Sequence, residues 1–412
     1  MTGIIPSNVV TQGCRLNLAQ ADALAALSAG RTVINSCAVT AEAVRDARAA
    51  AKRALRDHPG ADIIVTGCAA EVEPQRFADL PVRLIGNRAK FDPFSWRATE
   101  TGQSSSPTWG GGDSRQRAGG GLPAWPNALA TTARARGFVA VQDGCDHRCT
   151  FCIIAPARGP ARSAPIETVV AAVTRLVEQG VNEIVLTGVD VTSWGQDLPG
   201  SRAFGTLVQA LLTRVPALPR LRLSSLDAAE ADPALLEALA DPRLMPHLHL
   251  SLQSGDDLVL KRMKRRHARA DAVRLVERIK GIRPDMAFGA DIIAGFPTES
   301  AEAHAKSLKL LDDCDIVHAH IFAYSPRAGT PAARMPAVPP AVARARAAEL
   351  RAAAATRHGR WLHQWIGTPL DIVAEGERGW SPHYASVALP AGSPRGAIVR
   401  VTPTRIEGNG LA

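Results

Sequence analysis

The alternation of short apolar segments with helix-like segments is the feature that most limits how this chain can fold. In the first hundred residues, NVVTQGC, TVINSC and DIIVTGC each have the composition of a buried strand and end in a cysteine. Helix-like segments at about 17–29 and 41–57 separate them. Strands that alternate with helices form parallel sheets, because a parallel connection needs a crossover. Residues 1–98 are therefore predicted to fold as an N-terminal open parallel α/β sheet.

A second series of alternating segments begins at about residue 134. Its strand candidates lie at 137–142, 183–187, 220–225, 247–252, 287–293 and 317–322. Helix-like segments separate them, and at 166–180 the apolar residues follow helical spacing. Six β/α units fit a partial barrel better than a closed eight-stranded one. We therefore predict a central partial (β/α)6 barrel over 134–358, ending in a helix at 340–358 that is rich in Arg and Ala.

Two segments depart from this alternation. Residues 99–133 contain three consecutive serines, two glycine triplets and no apolar period, which predicts a flexible linker. Strand-like segments bounded by Gly and Pro over 359–412 predict a small C-terminal all-β module. No segment reaches the roughly 18 consecutive apolar residues that a membrane span needs, and the first residues lack the basic region of a secretory signal. We therefore expect a cytoplasmic protein without a membrane partner.

Three of the seven cysteines are clustered just after the first barrel strand, in the segment QDGCDHRCTFC: Cys145, Cys149 and Cys152. Three thiolates on one short loop can hold an iron–sulfur cluster and leave its fourth iron without a protein ligand. The alternatives are unrelated thiols or a zinc knuckle. A structural zinc site normally uses four protein ligands, and the only nearby candidate, His147, lies inside the loop. The odd number of cysteines argues against a disulfide framework.

Three further cysteines lie about one β/α unit apart, and each ends a predicted strand: Cys14, Cys37 and Cys68. The carboxyl ends of parallel strands converge on one crevice, so these thiols could meet there. The alternative is three buried cysteines that pack as small apolar side chains. The neighbouring Gly13, Asn35 and Gly67 are turn-forming residues, which favours a second iron–sulfur cluster. Cys314 has no partner in either set and is predicted to be a structural free thiol.

The motifs around both sets resemble those of a known family. The C-x3-C-x2-C spacing, with Phe151 before the last cysteine, resembles the signature of radical S-adenosylmethionine (SAM) enzymes. Within that superfamily, TQGCRLN, INSCAVT and TGCAAE resemble the three N-terminal cysteine motifs of the methylthiotransferases. Arg158-Gly159 also matches the RG that follows the family's cluster loop. The resemblance covers nearly the entire chain, and it makes the C-terminal module similar to a TRAM domain.

The resemblance implies that two [4Fe–4S] clusters and SAM are the cofactors. The clustered cysteines would hold the cluster whose open iron binds SAM, and the dispersed cysteines would hold an auxiliary cluster linked to the inserted sulfur. LTGVD, SLQSG and DIIAGFPTE end barrel strands where the family contacts SAM. Ordinary turn formation is the alternative for each of these segments. The resulting cofactor-binding candidates are Thr187, Gly188, Asp190, Ser251, Gln253, Gly295, Phe296 and Pro297, together with Phe151 and Arg158.

The resemblance also implies a reaction. In this family SAM is cleaved to a 5′-deoxyadenosyl radical that abstracts hydrogen, the auxiliary cluster supplies sulfur, and a second SAM donates the methyl group. The segments VQDGC and LTGVDVTSWGQDL most resemble the branch that converts N6-threonylcarbamoyladenosine at position 37 of tRNA to its 2-methylthio derivative. Sister branches act on isopentenyladenosine in tRNA or on an aspartate of a ribosomal protein. An iron–sulfur electron carrier or an RNA-binding scaffold is the non-enzymatic alternative, although a carrier needs no open iron.

The charge of the chain agrees with a nucleic-acid partner. Lys and Arg number 48 against 39 Asp and Glu, for a net charge of +9, and such a balance favours polyanions. Basic segments at 261–269 and 340–360 are candidates for phosphate contacts, with a solvated helix face as the alternative. We therefore expect tRNA as a partner. The reaction that the resemblance implies also needs an electron donor, and we expect this to be a reductant protein such as flavodoxin or ferredoxin.

Overall fold

The computed structural model describes residues 9–97, the backbone of a short strand at 130–131, and residues 135–412. Apart from that strand, the predicted linker 99–133 lies outside the described residues, and the domain boundaries on either side of it stay predictions. None of the helices in the described parts of the chain combines the length and the apolar character that crossing a membrane requires.

The N-terminal unit is the predicted parallel α/β sheet, with four strands in the order of the chain. The strands are β1 (Val9–Thr11), β2 (Thr32–Ser36), β3 (Ile63–Gly67) and β4 (Arg83–Gly86). The helices are α1 (Arg15–Ala19), α2 (Ala21–Ser28), α3 (Ala41–Asp57) and α4 (Cys68–Val72). The predicted helix at 17–29 is thus divided into two, and β4 was not predicted.

The central unit contains the predicted six parallel barrel strands: β6 (Gly137–Ala140), β9 (Ile184–Thr187), β10 (Leu221–Leu223), β11 (His247–Gln253), β12 (Ala287–Ala294) and β13 (Ile316–Ala323). The edge strand β5 (Ala130–Thr131) pairs antiparallel with β6, and β7 (Gln142–Asp143) with β8 (Arg162–Ser163). Bridges from Leu221 to Leu244 and from Leu226 to Leu250 join the β6–β9–β10 and β11–β12–β13 sheets. The partial barrel is confirmed.

The helices of this unit are α5 (Ile154–Arg158), α6 (Ile166–Glu178), α7 (Phe204–Arg214), α8 (Pro233–Ala238), α9 (Asp257–Met263), α10 (Arg269–Ile282), α11 (Ala301–Asp313) and α12 (Pro340–His363). Strand β11 shows how its two faces differ. Leu248, Leu250 and Leu252 belong to the core beneath the helices, and because side chains alternate along a strand, His249 and Ser251 point to the inner face.

The C-terminal unit is the predicted all-β module, built from β14 (Leu370–Ala374), β15 (Arg378–Trp380), β16 (Ser386–Ala388), β17 (Ile398–Val401), β18 (Ile406–Glu407) and β19 (Gly410–Leu411). They form one sheet in the order β17–β14–β15–β16–β19–β18. Ile372 and Val387 pack with Trp361 and Leu362 of α12 and with Val317 of β13. The module is therefore fixed to the barrel by a shared apolar core. Its resemblance to a TRAM domain stays a prediction.

Candidate cluster and cofactor sites

The clustered cysteines lie on the loop between β7 and α5, at the carboxyl end of the first barrel strand. All three thiols are free and half-buried. The backbone N–H of Cys152 donates to the carbonyl oxygen of Cys149 at 3.1 Å, and the N–H of Cys145 donates to the carbonyl oxygen of Gly159 at 3.1 Å. These bonds fold the loop on itself, so the short spacing brings the three sulfur atoms to one side of the barrel mouth.

The chemistry of this donor set fits an iron–sulfur cluster. Burial, together with the charge of Asp190, raises the pKa of Cys145 to about 12, and burial raises the pKa of Cys152 to about 11. Thiolates at Cys145 and Cys152 are therefore favoured only beside a compensating cation, such as the irons of a cluster. His147 lies beside the loop with its Nε2 2.7 Å from Oδ2 of Asp190, and the ligand atoms of Cys145, His147 and Asp190 all lie within 4.8 Å of one another.

Asp190, one of the predicted cofactor residues, lies directly beside the cysteine loop. Its Oδ2 is 3.8 Å from the Sγ of Cys145 and accepts a 2.7 Å hydrogen bond from the hydroxyl of Ser193. Burial disfavours its charge, but the hydrogen bonds from His147 and Ser193 outweigh burial and lower the pKa of Asp190. Its backbone N–H donates to Oε1 of Gln142 at 2.9 Å. A fixed carboxylate beside the open side of a cluster is suited to binding an amino group.

Arg265 also belongs to this site, although it lies in the basic segment 261–269 that is predicted from the sequence to contact phosphates. Its side chain is 9% exposed and donates to Oδ2 of Asp227 at 2.9 Å and to the carbonyl oxygen of Ser251 at 2.8 Å. Its Nη1 lies 3.7 Å from the Sγ of Cys149. The expectation that the whole segment 261–269 contacts phosphates is therefore wrong. Arg265 instead compensates negative charge at the cluster loop.

The rest of the 261–269 segment is also largely engaged within the protein. Arg266 pairs with Glu230, and Arg269 pairs with Asp313. Lys261 and Lys264 are exposed. The segment therefore presents fewer cations to a partner than its composition indicates.

The dispersed cysteines are brought together at the carboxyl edge of the N-terminal sheet. Cys14 follows β1, Cys37 follows β2, and Cys68 begins α4 directly after β3. Burial raises the pKa of Cys37 to about 11, and the proximity of the other two thiols adds to the effect. Gly13 has a φ of +87°, and a Cβ there would lie 2.8 Å from the Sγ of Cys37. Glycine is therefore required for the loop to approach the thiol.

The two cysteine sets face each other across the contact between α4 and α5. Ile153 and Ala157 pack in the same apolar cluster as Cys68 and Ala69. Cys68 is close enough to Cys152 to influence its ionisation. A cluster held by each set would thus be adjacent to the other, an arrangement that cysteine spacing along the chain does not reveal.

Arg158, predicted to be a cofactor residue, lies on the auxiliary side of this contact. It is buried, and its Nη1 and Nη2 donate to Oδ1 of Asp143 at 2.8 Å and to Oδ1 of Asn17 at 2.6 Å. It interacts electrostatically with Cys14 and Cys68. Arg158 therefore adjoins the dispersed cysteines rather than the clustered ones.

Lys90 is a second buried cation near the dispersed thiols, and the sequence analysis did not identify it. Its Nζ donates to Oε1 of Gln20 and to Oδ1 of Asn87, each at 2.6 Å. Burial lowers its pKa to about 7. A single lysine in a loop gives no signal of burial, because lysine is among the residue types most often exposed.

The remaining cofactor candidates lie at the carboxyl ends of three barrel strands. Thr187 ends β9, and its hydroxyl is buried without a protein hydrogen-bond partner. Gly188 follows, and a Cβ there would lie 2.8 Å from the carbonyl oxygen of Gln142. Ser251 and Gln253 lie on β11, and Gln253 has a φ of +68°. An unsatisfied hydroxyl at a strand end fits a ligand that supplies a polar atom.

The cofactor-binding candidates Gly295, Phe296 and Pro297 have packing roles in this structure. Phe296 is fully buried, with its ring centroid 6.2 Å from that of Phe151 and 5.4 Å from that of Tyr324. Gly295 lies against Ala343 of α12, and Pro297 is buried. Contact of these residues with SAM stays a prediction.

Comparisons with known proteins agree with this geometry. Residues 139–311 match the family model described as the radical SAM superfamily, and residues 7–85 match the one described as uncharacterized protein family UPF0004. The solved structure of the radical SAM methyltransferase TsrM from Kitasatospora setae, with cobalamin and a [4Fe–4S] cluster bound, is similar with a TM-score of 0.51 and 15% identity. That match covers 77% of this chain and 67% of the other and shows the fold alone. The fold and the cysteine loop define a radical SAM enzyme.

Curated relatives define the family more closely. The chain is 40% identical to the threonylcarbamoyladenosine tRNA methylthiotransferase MtaB of Rickettsia prowazekii, over 91% of this chain and 89% of the relative. It is 32% identical to the protein of the same name from Thermotoga maritima, over 89% and 86%. A tRNA-2-methylthio-N(6)-dimethylallyladenosine synthase of Paracoccus denitrificans is 37% identical over 70% and 67%. The chain belongs to the MtaB-like family of radical SAM methylthiotransferases, with SAM and [4Fe–4S] clusters as cofactors.

Proposed function

We propose that this protein converts N6-threonylcarbamoyladenosine in tRNA to its 2-methylthio derivative. The observation that carries the proposal is the adjacency of the two cysteine sets across the α4–α5 contact. The identity to relatives named for this activity supports it over nearly the full length of the chain. When bound, the clusters and SAM supply one-electron reduction, hydrogen abstraction, sulfur and a methyl group.

The residues of the chain would hold and orient these groups. Cys145, Cys149 and Cys152 would hold one cluster, and Cys14, Cys37 and Cys68 the other. The structure supports a role for Asp190 and Thr187 toward SAM, because one is a fixed carboxylate and the other an unpartnered buried hydroxyl. Ser251 and Gln253 lie at the carboxyl end of β11.

The charges of the protein would balance those of the clusters. Arg265 lies beside Cys149, and Arg158 and Lys90 lie beside the dispersed thiols. Buried cations near a cluster favour its more negative state, because the interior screens charge poorly. They also favour a cluster over the alternative in which the three dispersed thiols serve only as apolar packing groups, since apolar packing does not require buried cations.

Isopentenyladenosine in tRNA is the second candidate substrate. The relative from Paracoccus denitrificans, named for a dimethylallyladenosine product, is 37% identical and favours this candidate. Its match covers 70% of this chain, against 91% for the Rickettsia relative. The amino-acid sequences of the segments VQDGC and LTGVDVTSWGQDL also favour the threonylcarbamoyl substrate.

We further propose that a flavodoxin- or ferredoxin-type protein supplies the electrons and that the reaction takes place in the cytoplasm. Radical SAM clusters need a one-electron donor of low reduction potential, and flavodoxins and ferredoxins are donors of this kind. Replacing the chemical reductant with a purified flavodoxin and its reductase should sustain turnover. If the chemical reductant sustained turnover but none of these carrier proteins did, this part of the proposal would be contradicted.

The test is mass spectrometry of tRNA nucleosides from a host without its own enzyme, carrying this gene or an empty vector. The gene should convert threonylcarbamoyladenosine to its 2-methylthio form and leave isopentenyladenosine unchanged. A gene with Cys145→Ala should behave as the empty vector, and a gene with Cys314→Ala as the native one. Methylthiolation of isopentenyladenosine, or of the ribosomal aspartate with tRNA unchanged, would reassign the substrate.

A further inference from the structure

Three metal-ligating side chains from adjacent strands meet on the inner face of the barrel, apart from both cysteine sets. They are His249 on β11, Asp291 on β12 and His320 on β13. Nε2 of His249 lies 3.0 Å from Oδ1 of Asp291, and Nδ1 of His320 lies 3.2 Å from the same oxygen. The ligand atoms of all three lie within 4.8 Å of one another.

The strand pairing fixes this arrangement. Asp291 is the direct partner of His320 across the β12–β13 pair, and His249 is paired with Gly289 across β11–β12. A Cβ at Gly289 would lie 2.5 Å from Nδ1 of His249. Glycine therefore provides the space in which the His249 ring turns toward Asp291.

The Nε2 of His249 lies next to the carboxylate of Asp291 in a largely buried position. The side chain is 6% exposed, and its Nε2 is 3.0 Å from Oδ1 of Asp291. The same nitrogen is buried and makes no hydrogen bond of good geometry within the described part of the chain. A buried imidazole nitrogen beside a carboxylate oxygen is a suitable pair of donor atoms for a transition metal.

The donor set indicates the kind of ion. Two imidazoles and one carboxylate suit zinc, iron(II) and related transition metals, whereas calcium and magnesium prefer oxygen ligands alone. Metal bonds of about 2.0–2.2 Å bring ligand atoms to roughly 3.3 Å from one another in a tetrahedral site. The observed separations of 3.0 and 3.2 Å therefore need little adjustment. His320 is 58% exposed, which leaves the fourth side open.

We propose that His249, Asp291 and His320 bind one divalent transition-metal ion, with an open coordination position toward the barrel interior. The open position would take an oxygen ligand, such as water or a carboxylate. This site goes beyond the proposed function, which uses no metal outside the two clusters. The competing explanation is that Asp291 simply accepts hydrogen bonds from the two imidazoles.

The test uses the protein with both clusters assembled, so that the six cysteines are occupied, and zinc as the probe. After anaerobic equilibration with micromolar zinc and removal of free metal, we expect about one zinc ion per chain. X-ray absorption at the zinc edge should show nitrogen and oxygen ligands, with the scattering pattern of imidazole and no sulfur. A sulfur shell would place the ion at displaced cysteines and overturn the proposal.

Two variants and a matched control complete the experiment. His320→Ala and Asp291→Asn should each weaken zinc affinity by about 100-fold, since even outer partners of ligands alter affinity by 10–100-fold. His363→Ala removes an exposed histidine outside the cluster and should change nothing. Iron content and far-UV circular dichroism verify that the variants are folded. Equal zinc binding by native protein and both variants, or none by the native protein, would contradict the proposal.

Discussion

Cys37 and Cys68 are buried and Cys14 is exposed, yet all three thiols lie at one edge of the N-terminal sheet. Burial raises the pKa of Cys37, and a thiol of raised pKa is inert unless a cation takes up the charge of the thiolate. The same holds for the loop of Cys145 and Cys152. At the residue scale, therefore, each set is a cation-dependent ligand group, and removing one set should leave the other intact.

The first prediction follows from this independence. Anaerobically reconstituted protein should hold two [4Fe–4S] clusters, or about eight irons. Changing Cys14, Cys37 and Cys68 together to Ala should halve the iron and allow SAM cleavage, but abolish methylthiolation. Changing the three clustered cysteines should also halve the iron and abolish SAM cleavage. Iron analysis and chromatography of 5′-deoxyadenosine measure these outcomes.

The control for these changes is Cys314→Ala, because Cys314 is a fully buried free thiol outside both sets. It should leave the iron content and activity unchanged. If the iron content were unchanged after all three dispersed cysteines had been replaced, these cysteines would not hold a cluster.

The second prediction concerns Arg265, which lies between Asp227 and Cys149. Arg265→Ala leaves a buried carboxylate without its cation and removes a positive charge at the cluster loop. Hydrogen bonds to charged groups contribute about 1.5–3 kcal/mol to stability, so the change should destabilise the cluster loop and lower the rate of SAM cleavage. Lys264→Gln, which removes the adjacent exposed charge, should leave SAM cleavage unchanged. A loss of tRNA binding with normal SAM cleavage would instead restore a phosphate-binding role.

Arg265 also shows that the composition of a charged segment does not reveal which of its side chains are exposed. The segment KRMKRRHAR is basic throughout, and its solvent exposure was inferred from composition. Asp227, the partner of Arg265, lies 38 residues away in the sequence. Whether an arginine is buried in an ion pair depends on such distant partners, so no local pattern reveals it.

At the scale of elements, the sequence predicts most strands and helices closely. The predicted helix 41–57 is observed as Ala41–Asp57, and the six predicted barrel strands are all present. These elements have clear apolar periodicity. Strand β4 was missed because only Leu84 and Ile85 form its apolar run. Its formation depends on pairing with β3, which is a tertiary interaction.

The third prediction concerns the buried ion pair that joins barrel strands to the C-terminal module. Arg222 of β10 and Glu183 are both 0% exposed and are linked by two hydrogen bonds of 2.8 and 3.0 Å. Arg222 also donates to the carbonyl oxygens of Ser381 and Pro382. Arg222→Met leaves Glu183 buried with a weaker partner and should lower the free energy of unfolding by about 3–5 kcal/mol. Urea unfolding followed by circular dichroism measures this change.

A surface pair of the same residue types is the matched control. Arg214 and Glu167 also form two hydrogen bonds, but their side chains are 42% and 77% exposed. Arg214→Met should leave the free energy of unfolding nearly unchanged, because solvent screens exposed pairs. Adding Glu183→Gln to Arg222→Met should recover part of the lost stability. Equal effects at both pairs would contradict the role assigned to burial.

At the scale of the whole molecule, the N-terminal sheet is joined directly to the barrel. Leu16 and Ala19 of α1 pack with Phe138 and Val185 of the barrel strands in one apolar cluster. This docking, together with the α4–α5 contact, brings the two cysteine sets next to each other. The sequence analysis predicted each set separately. It could not predict their adjacency, because the docking of two folded units leaves no periodic signal in the chain.

The fourth prediction concerns how tRNA is held. In α12, Arg346 and Arg357 pair with Glu299 and Asp315, whereas Arg344 and Arg351 are exposed. Changing Arg344 and Arg351 to Ala should weaken tRNA binding and reduce the log–log salt slope by about 1.5–2, as two phosphate contacts are lost. SAM cleavage without tRNA should be unaffected. Binding is measured by filter retention from low to high salt.

The control for this change is the pair Arg53→Ala and Arg175→Ala, which removes the same charge from other exposed helix surfaces. It should alter binding less and leave the slope close to that of the native protein. Equal losses from both pairs would show that net charge alone, rather than the α12 surface, governs binding.

The central claim is that two adjacent clusters in this chain insert a methylthio group into threonylcarbamoyladenosine of tRNA. The most direct measurement is mass spectrometry of nucleosides after purified, cluster-loaded protein has reacted with SAM, a reductant and a tRNA pool containing both modified adenosines. We expect 2-methylthio-threonylcarbamoyladenosine from the native protein and none when either cysteine set is removed. A methylthio group on isopentenyladenosine alone, or one formed without the dispersed cysteines, would contradict it.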